Sequence, residues 1–220
     1  MTAVPAGSNE TYRRLMAAAG RREPFDSHVF ACVLAVGLQQ ERQSLWDFLG
    51  LTPAVLRVLL ASYFPSSGLV IPSLARSQDE EAIEEEDFRL LLLSYRARNV
   101  PEEEWLAAIV ARRAQADNHL WEDLGLASRD DLNGLIRRHF PALFAKNDKN
   151  MRWKKFFYRM MCESEGLRLC KSPNCQQCPD LALCFEPDSV LIGNRSVRGP
   201  VISPVATAEP RFPVGDIRRL

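Results

Sequence analysis

Four cysteines fall within fifteen residues near the end of the chain, Cys170-Lys-Ser-Pro-Asn-Cys175-Gln-Gln-Cys178-Pro-Asp-Leu-Ala-Leu-Cys184. The C-x4-C-x2-C-x5-C spacing, broken by Pro173 and Pro179, lets four soft thiolates wrap one compact metal centre. A thiolate-only donor set selects zinc, copper(I) or an iron–sulfur cluster. The chain has six cysteines, so disulfides are the competing reading. Its start, Met-Thr-Ala-Val-Pro-Ala-Gly-Ser, lacks a charged segment followed by an apolar core, so no secretory signal is expected and the chain reads as cytoplasmic. Clustered cysteines in that compartment bind metal or do redox chemistry more often than they pair. Structural zinc sites usually join two C-x2-C knuckles across a longer loop. This run has one such knuckle, Cys175 to Cys178, with a single cysteine on either side. The spacing favours an iron–sulfur cluster and keeps zinc as the alternative, since the gaps also differ from the bacterial ferredoxin pattern.

The segment feeding the run is basic and aromatic. Lys146 to Lys171 holds eight cations against three acids, interleaved with Met151, Trp153, Phe156, Phe157, Tyr158, Met160 and Met161. It reads as an amphipathic helix ending near Gly166. Four thiolates around an iron–sulfur core leave negative charge, whose cost nearby cations lower, and the same cations would attract an oxyanion such as molybdate. Lys171, Arg152, Lys154 and Lys155 are the candidates for that role. Cys162, eight residues before Cys170, and His119 are candidate additional ligands. Cys32 lies in an apolar run and reads as core; His28 and His139 show no constellation. The sequence has no glycine-rich phosphate loop, Ser/His/Asp order or carboxylate pair to suggest catalysis, so an enzyme is not expected.

The 220 residues are 46% hydrophobic and 25% charged, as in an ordinary globular protein, and the 28 cations balance the 28 acids. That neutrality counts against a nucleic-acid partner, and no apolar run is long enough for a membrane. The fold is expected to be all-α, since helical periodicity dominates and no alternating strand pattern appears. Helices are expected over 9–19, ending in a left-handed Gly20; after a cap at Asp26 or Ser27; after Thr52-Pro53; from Pro101; and after a Ser128/Asp131 capping box. Leu45-Trp-Asp-Phe-Leu-Gly-Leu51 recurs about 75 residues later as Leu120-Trp-Glu-Asp-Leu-Gly-Leu126, and both copies run on to Phe-Pro. This predicts a duplicated helical unit, 30–65 and 105–141, with Trp46 and Trp121 in the core. Asp79 to Asp87 carries seven acids in nine positions and reads as a solvated helix start. The expected organisation is an arm and first helix over 1–25, a helical domain over 26–166, a cysteine loop over 167–188 and a disordered Pro-containing tail over 189–220.

Met151-Arg-Trp-Lys-Lys-Phe-Phe-Tyr158, Cys162-Glu, the four-cysteine run and Cys184-Phe-Glu-Pro-Asp188 together resemble the NifQ proteins of nitrogen fixation. Asn118-His-Leu-Trp-Glu-Asp-Leu-Gly-Leu126 and Phe140-Pro141 match the same family, and the resemblance spans roughly 28–188. Glu186 stands where the family pattern has glycine, outside the ligand set. The resemblance implies that Cys170, Cys175, Cys178 and Cys184 hold an iron–sulfur cluster that incorporates molybdenum. It implies a molybdate or molybdenum-storage source, and delivery to the cofactor scaffold NifEN together with NifH for iron–molybdenum cofactor assembly. Two other readings stay open on the residues alone. One is a zinc-stabilised nucleic-acid-binding or regulatory module using the 146–171 helix; the other is an iron–sulfur electron-transfer protein.

Overall fold

The computed structural model describes residues 6–41, 43–71 and 83–164. The cysteine run, Lys171, Asp79 to Glu81 of the acidic stretch and the expected tail lie outside the described residues. Those described form ten helices and no strand, which makes the fold all-α. None is long and apolar enough to cross a membrane. In order they are α1 (Ala6–Ala17), α2 (Pro24–Gly37), α3 (Leu45–Leu49), α4 (Pro53–Tyr63), α5 (Ile83–Ser94), α6 (Pro101–Ala114), α7 (Leu120–Asp123), α8 (Arg129–His139), α9 (Pro141–Lys146) and α10 (Trp153–Ser164).

Local chemistry starts three of these helices where the sequence suggests, at Thr52, Pro101 and Ser128. Thr52 Oγ1 accepts from Val55 N at 3.2 Å, and Pro53 fills the first helical position. Ser128 and Asp131 form the reciprocal box: Asp131 N donates to Ser128 Oγ at 3.3 Å and Ser128 N to Asp131 Oδ2 at 3.1 Å. Three expectations are corrected. α2 begins at Pro24, before Asp26 and Ser27, because proline takes the first position of the helix and leaves Asp26 free to pair elsewhere. α1 ends at Ala17, and Gly20 is not left-handed; its N–H instead donates to Tyr63 O at 2.8 Å. Trp46 and Trp121 are only partly buried, while Leu45, Phe48, Leu49, Leu120 and Leu124 fill the core beside them.

Residues 24–63 and 101–139 each run long helix, short helix, long helix, of 14, 5 and 11 residues and of 14, 4 and 11 residues. Their short helices end at glycines with nearly the same backbone, Gly50 at φ 64° and Gly125 at φ 70°. The two segments seat on each other reciprocally. A Cβ on Gly50 would lie 2.9 Å from Arg112 Cβ and 3.2 Å from Ala108 O, on α6. One on Gly125 would lie 2.5 Å from Val36 Cγ2 and 2.8 Å from Cys32 O, on α2. Each turn meets two residues four apart on the facing helix, Ala108 and Arg112 on α6 and Cys32 and Val36 on α2. Glycine is required at both turns, because left-handed backbone and close helix approach coincide.

One buried polar network ties the start of α2 to the end of α8. His139, for which the sequence shows no constellation, is 1% exposed, and its Nε2 meets Asp26 Oδ1 at 3.0 Å. Its Nδ1 faces Arg98 Nη2 at 2.9 Å; arginine only donates, so Nδ1 accepts and the ring proton sits on Nε2. Arg138 Nε donates to Asp26 Oδ1 at 2.8 Å. Arg98 also donates its backbone N–H to the buried Glu103 carboxylate, at 3.1 Å from each oxygen. Burial alone would raise both carboxyls. Hydrogen bonds from His139 and Arg138 hold Asp26 below the ordinary range, and those from Arg98, Val100 and Asn99 do the same for Glu103. Because their folded values are depressed, these carboxylates contribute stability that is present above the unfolded value of about 4 and lost as pH falls through the folded values. The melting temperature is therefore expected to drop as pH goes from about 5 to about 3, with a shallower drop in Asp26→Asn. A midpoint flat across that window would contradict the assignment.

Candidate metal centre and its supporting helix

α10 carries the chain toward the cysteine run, and its aromatic stripe fixes its position. Trp153, Phe156, Phe157 and Tyr158 are buried. Phe88 of α5 lies 5.8 Å from the Phe157 ring and 4.8 Å from the Tyr158 ring, and Trp153 Nε1 donates to Asn133 Oδ1 of α8 at 2.8 Å. Each such burial contributes on the order of 1.5–3 kcal/mol, against about 0–1 for an exposed ion pair. Packing therefore anchors this helix more than its cations do. The basic segment is also not one helix: α9 ends at Lys146, and residues 147–152 turn before α10 begins at Trp153.

The structure brings His119, Arg152 and Lys154 together at the start of α10. His119 caps α7 through its backbone, its N–H donating to Glu122 Oε2 at 2.9 Å. Its ring faces Arg152 Nη1, 3.1 Å from Nδ1 and 3.0 Å from Nε2. Being nearly equidistant from both ring nitrogens, the guanidinium nitrogen packs over the ring face and not along either in-plane lone pair. Lys154 Nζ lies 2.6 Å from Asp123 Oδ2 and also meets Ala116 O, and Asn118 Nδ2 donates to Asp123 Oδ1 at 3.1 Å. Burial lowers the Lys154 ammonium, partly countered by Asp123.

His119 and Asp123 are also two positions where the second segment departs from the first, which has Ser44 and Phe48. In the first segment Ser44 bonds Asp47 within its own helix start, and Arg113 lies 3.9 Å over the Phe48 ring. The departures in the second segment receive Arg152, just before α10, and Lys154 on it. Sequence spacing could name His119 as unexplained by the repeat, but not its partner 33 residues on.

Lys155 is half-buried on α10. Cys162 falls within α10, ten residues beyond Arg152 or about 15 Å of helix, with its side chain outside the described residues. Cys170, Cys175, Cys178, Cys184 and Lys171 also lie outside them. Among the described residues no three His, Cys, Asp or Glu side chains gather to hold a metal. Cys32 is buried beside His28, its Sγ 3.7 Å from Nδ1, and burial pushes its thiol up to about 12. That thiol is protonated and inert at neutral pH. A soft metal site would draw on cysteines whose side chains lie outside the described residues, and four thiolates fit an iron–sulfur cluster in donor chemistry.

Fold and sequence together define an all-helical protein whose last described helix leads into a four-cysteine run. The NifQ family model matches residues 29–186, a stretch that includes all four cysteines. A Sinorhizobium fredii protein named NifQ homolog is 41% identical over 165 residues, covering 73% of this chain and 72% of that protein. Protein NifQ of Rhodobacter capsulatus is 43% identical over 159 residues, covering 71% of this chain and 87% of that one. Protein NifQ of Azotobacter vinelandii is 51% identical over 100 residues, covering 46% and 51%. No solved structure matches. The chain belongs to the NifQ family.

Proposed function

We propose that this NifQ chain serves nitrogen fixation as a molybdenum carrier, holding the metal on its cysteine loop and delivering it for iron–molybdenum cofactor assembly. The observation that carries the reading is the C-x4-C-x2-C-x5-C run lying inside the stretch matched by the family model. Cys170, Cys175, Cys178 and Cys184 would hold an iron–sulfur cluster, which supplies sulfide and thiolate ligands soft enough to seat molybdenum. Lys171 and Lys155 would offset the charge of the thiolates. Lys154 is engaged by Asp123 and fixes the base of α10 instead. His119 would be an additional ligand, with the Arg152 guanidinium packed over its ring.

The role is that of a cytoplasmic donor without turnover chemistry. NifEN and NifH are the proposed recipients, and molybdate or a molybdenum store the source. The scaffold is proposed to be a duplicated helical unit, a reading supported by the reciprocal seating of Gly50 and Gly125. A rigid helical base with the ligands on a proline-broken loop beyond it suits a donor, since surface loops present their contents to partners. Iron, sulfide, molybdenum and zinc measured together in the anaerobically purified chain test the reading.

A further inference from the structure

We propose that Lys154 is a positioning residue: its buried ion pair with Asp123 selects the register in which α10 seats, and with it the direction in which the chain sets out toward the cysteine run. Packing does not select that register by itself. Phe156, Phe157 and Tyr158 are consecutive and all buried, at 3%, 0% and 3% exposure. A slip of one residue along a helix is a rise of about 1.5 Å and a turn of about 100°. It would bring Phe156 to the place of Phe157 and Phe157 to the place of Tyr158, so one ring would replace another against Phe88 of α5. Apolar contact is non-directional and separates two such seatings weakly.

Polar contacts separate them strongly. Three consecutive residues at the base of α10 each meet a side chain of the second segment. Arg152 Nη1 packs over the His119 ring, Trp153 Nε1 donates to Asn133 Oδ1 at 2.8 Å, and Lys154 Nζ donates to Asp123 Oδ2 at 2.6 Å. At all three places the second segment departs from the first, which has Ser44, Arg57 and Phe48. The first segment folds without these side chains, so the repeated helices do not themselves require them. The Asp123–Lys154 pair is the most selective of the three. The two side chains are 5% and 15% exposed, and Asn118 Nδ2 holds the other carboxylate oxygen at 3.1 Å. The same slip would set Trp153 against Asp123 and leave a buried carboxylate without its cation. A buried ion pair adds little net stability over an apolar pair, and its best-attested use is to fix register. Arg129 Nη2 also clamps the preceding turn, donating to Asn150 O and Met151 O at 2.7 Å each, and the Asn147 amide bridges it. The Asn150 bond is exposed, so water competes for it and it gives way more readily than a buried pair. Cys162 lies eight residues beyond Lys154 on α10, so a slip would turn its position by about 100°.

The consequence for metal rests on the carrier reading, so the test has a readout that does not. Lys154→Met alone would strand the Asp123 carboxylate and threaten the fold. Asp123→Leu combined with Lys154→Met removes both charges, and the buried Phe48 shows that the corresponding position of the first segment accommodates an apolar side chain. The full-length double variant is compared with the native chain by circular dichroism, by nitrogen–proton NMR of its tryptophan indoles, and by iron and molybdenum per chain after anaerobic purification. A helical spectrum and a melting temperature close to native are expected. The Trp153 indole resonance is expected to split between registers while that of Trp105 on α6 stays single. Metal content is expected to fall by about tenfold or more, the scale on which groups that orient ligands act. Lys154→Arg keeps the charge and is expected to keep one Trp153 resonance. A single Trp153 resonance in the double variant would overturn the register assignment, and so would a melting temperature far below native, which would assign the pair to stability. A split resonance with native metal content would overturn the positioning role. A native chain without metal would overturn the carrier reading instead, and the indole resonances would still decide the register.

Discussion

Cys175→Ala or Cys178→Ala is expected to strip the chain of iron and molybdenum while leaving its helical circular dichroism and melting temperature unchanged. The two halves of this result have separate causes. Among the described residues the helical core fully buries Leu34, Leu49, Leu106, Phe88 and Phe157, and the substitution is not expected to disturb it. Under the proposed function, metal retention would depend on four ligands closing one shell. Loss of an outer hydrogen-bond partner lowers metal affinity by about 10–100-fold, and loss of a ligand exceeds that. Cys32→Ala is the contrast: its thiol is buried and protonated, so iron and molybdenum should stay. Full metal content in Cys178→Ala, measured per chain, would remove that residue from the ligand set.

Gly125→Ala is expected to destabilise the fold by about 2–5 kcal/mol, combining a left-handed backbone penalty of about 1–2 with overpacking of about 1–3. In a chain of this size that is a fall in melting temperature on the order of 10 °C. The overpacking is specific, because the new Cβ would meet Val36 Cγ2 at 2.5 Å and the backbone oxygen of Cys32 at 2.8 Å. Backbone cannot swing aside as a side-chain tip can. Gly68 is the control, with φ 71° but nothing within 4 Å of an added Cβ. Gly68→Ala should show the backbone penalty alone. If both variants melted alike, the close seating of the α7 turn on α2 would not be the constraint claimed.

Which features could be read in advance follows from how local their causes are. Helix starts at Thr52 and Ser128 were legible because a cap and its partner lie within one turn. The Leu-Trp…Gly-Leu echo pointed to matching turns, and Gly50 and Gly125 adopt matching backbones. Type and spacing alone raise the expectation of metal chemistry at the cysteine run, which lies outside the described residues. What the sequence hid is long-range pairing. Asp26 and His139 are 113 residues apart, and nothing near either one announces the other. Lys154 looked like an available cation in a basic stretch; Asp123, 31 residues earlier, holds it. The break between α9 and α10 was missed because its cause is the Asn147 amide and the Arg129 clamp, not a proline or glycine. Trp46 and Trp121 were assigned to the core on area alone, yet neighbouring leucines fill the space and leave the indoles at its edge.

The central claim is that the four cysteines carry molybdenum with iron and sulfide. The most direct test is the elemental content of the anaerobically purified chain from cells grown with ample iron and molybdate. Iron, labile sulfide, molybdenum and zinc are measured in one sample. Iron and sulfide accompanied by molybdenum is the predicted result. Stoichiometric zinc without sulfide would contradict it and return the cysteine loop to a structural role.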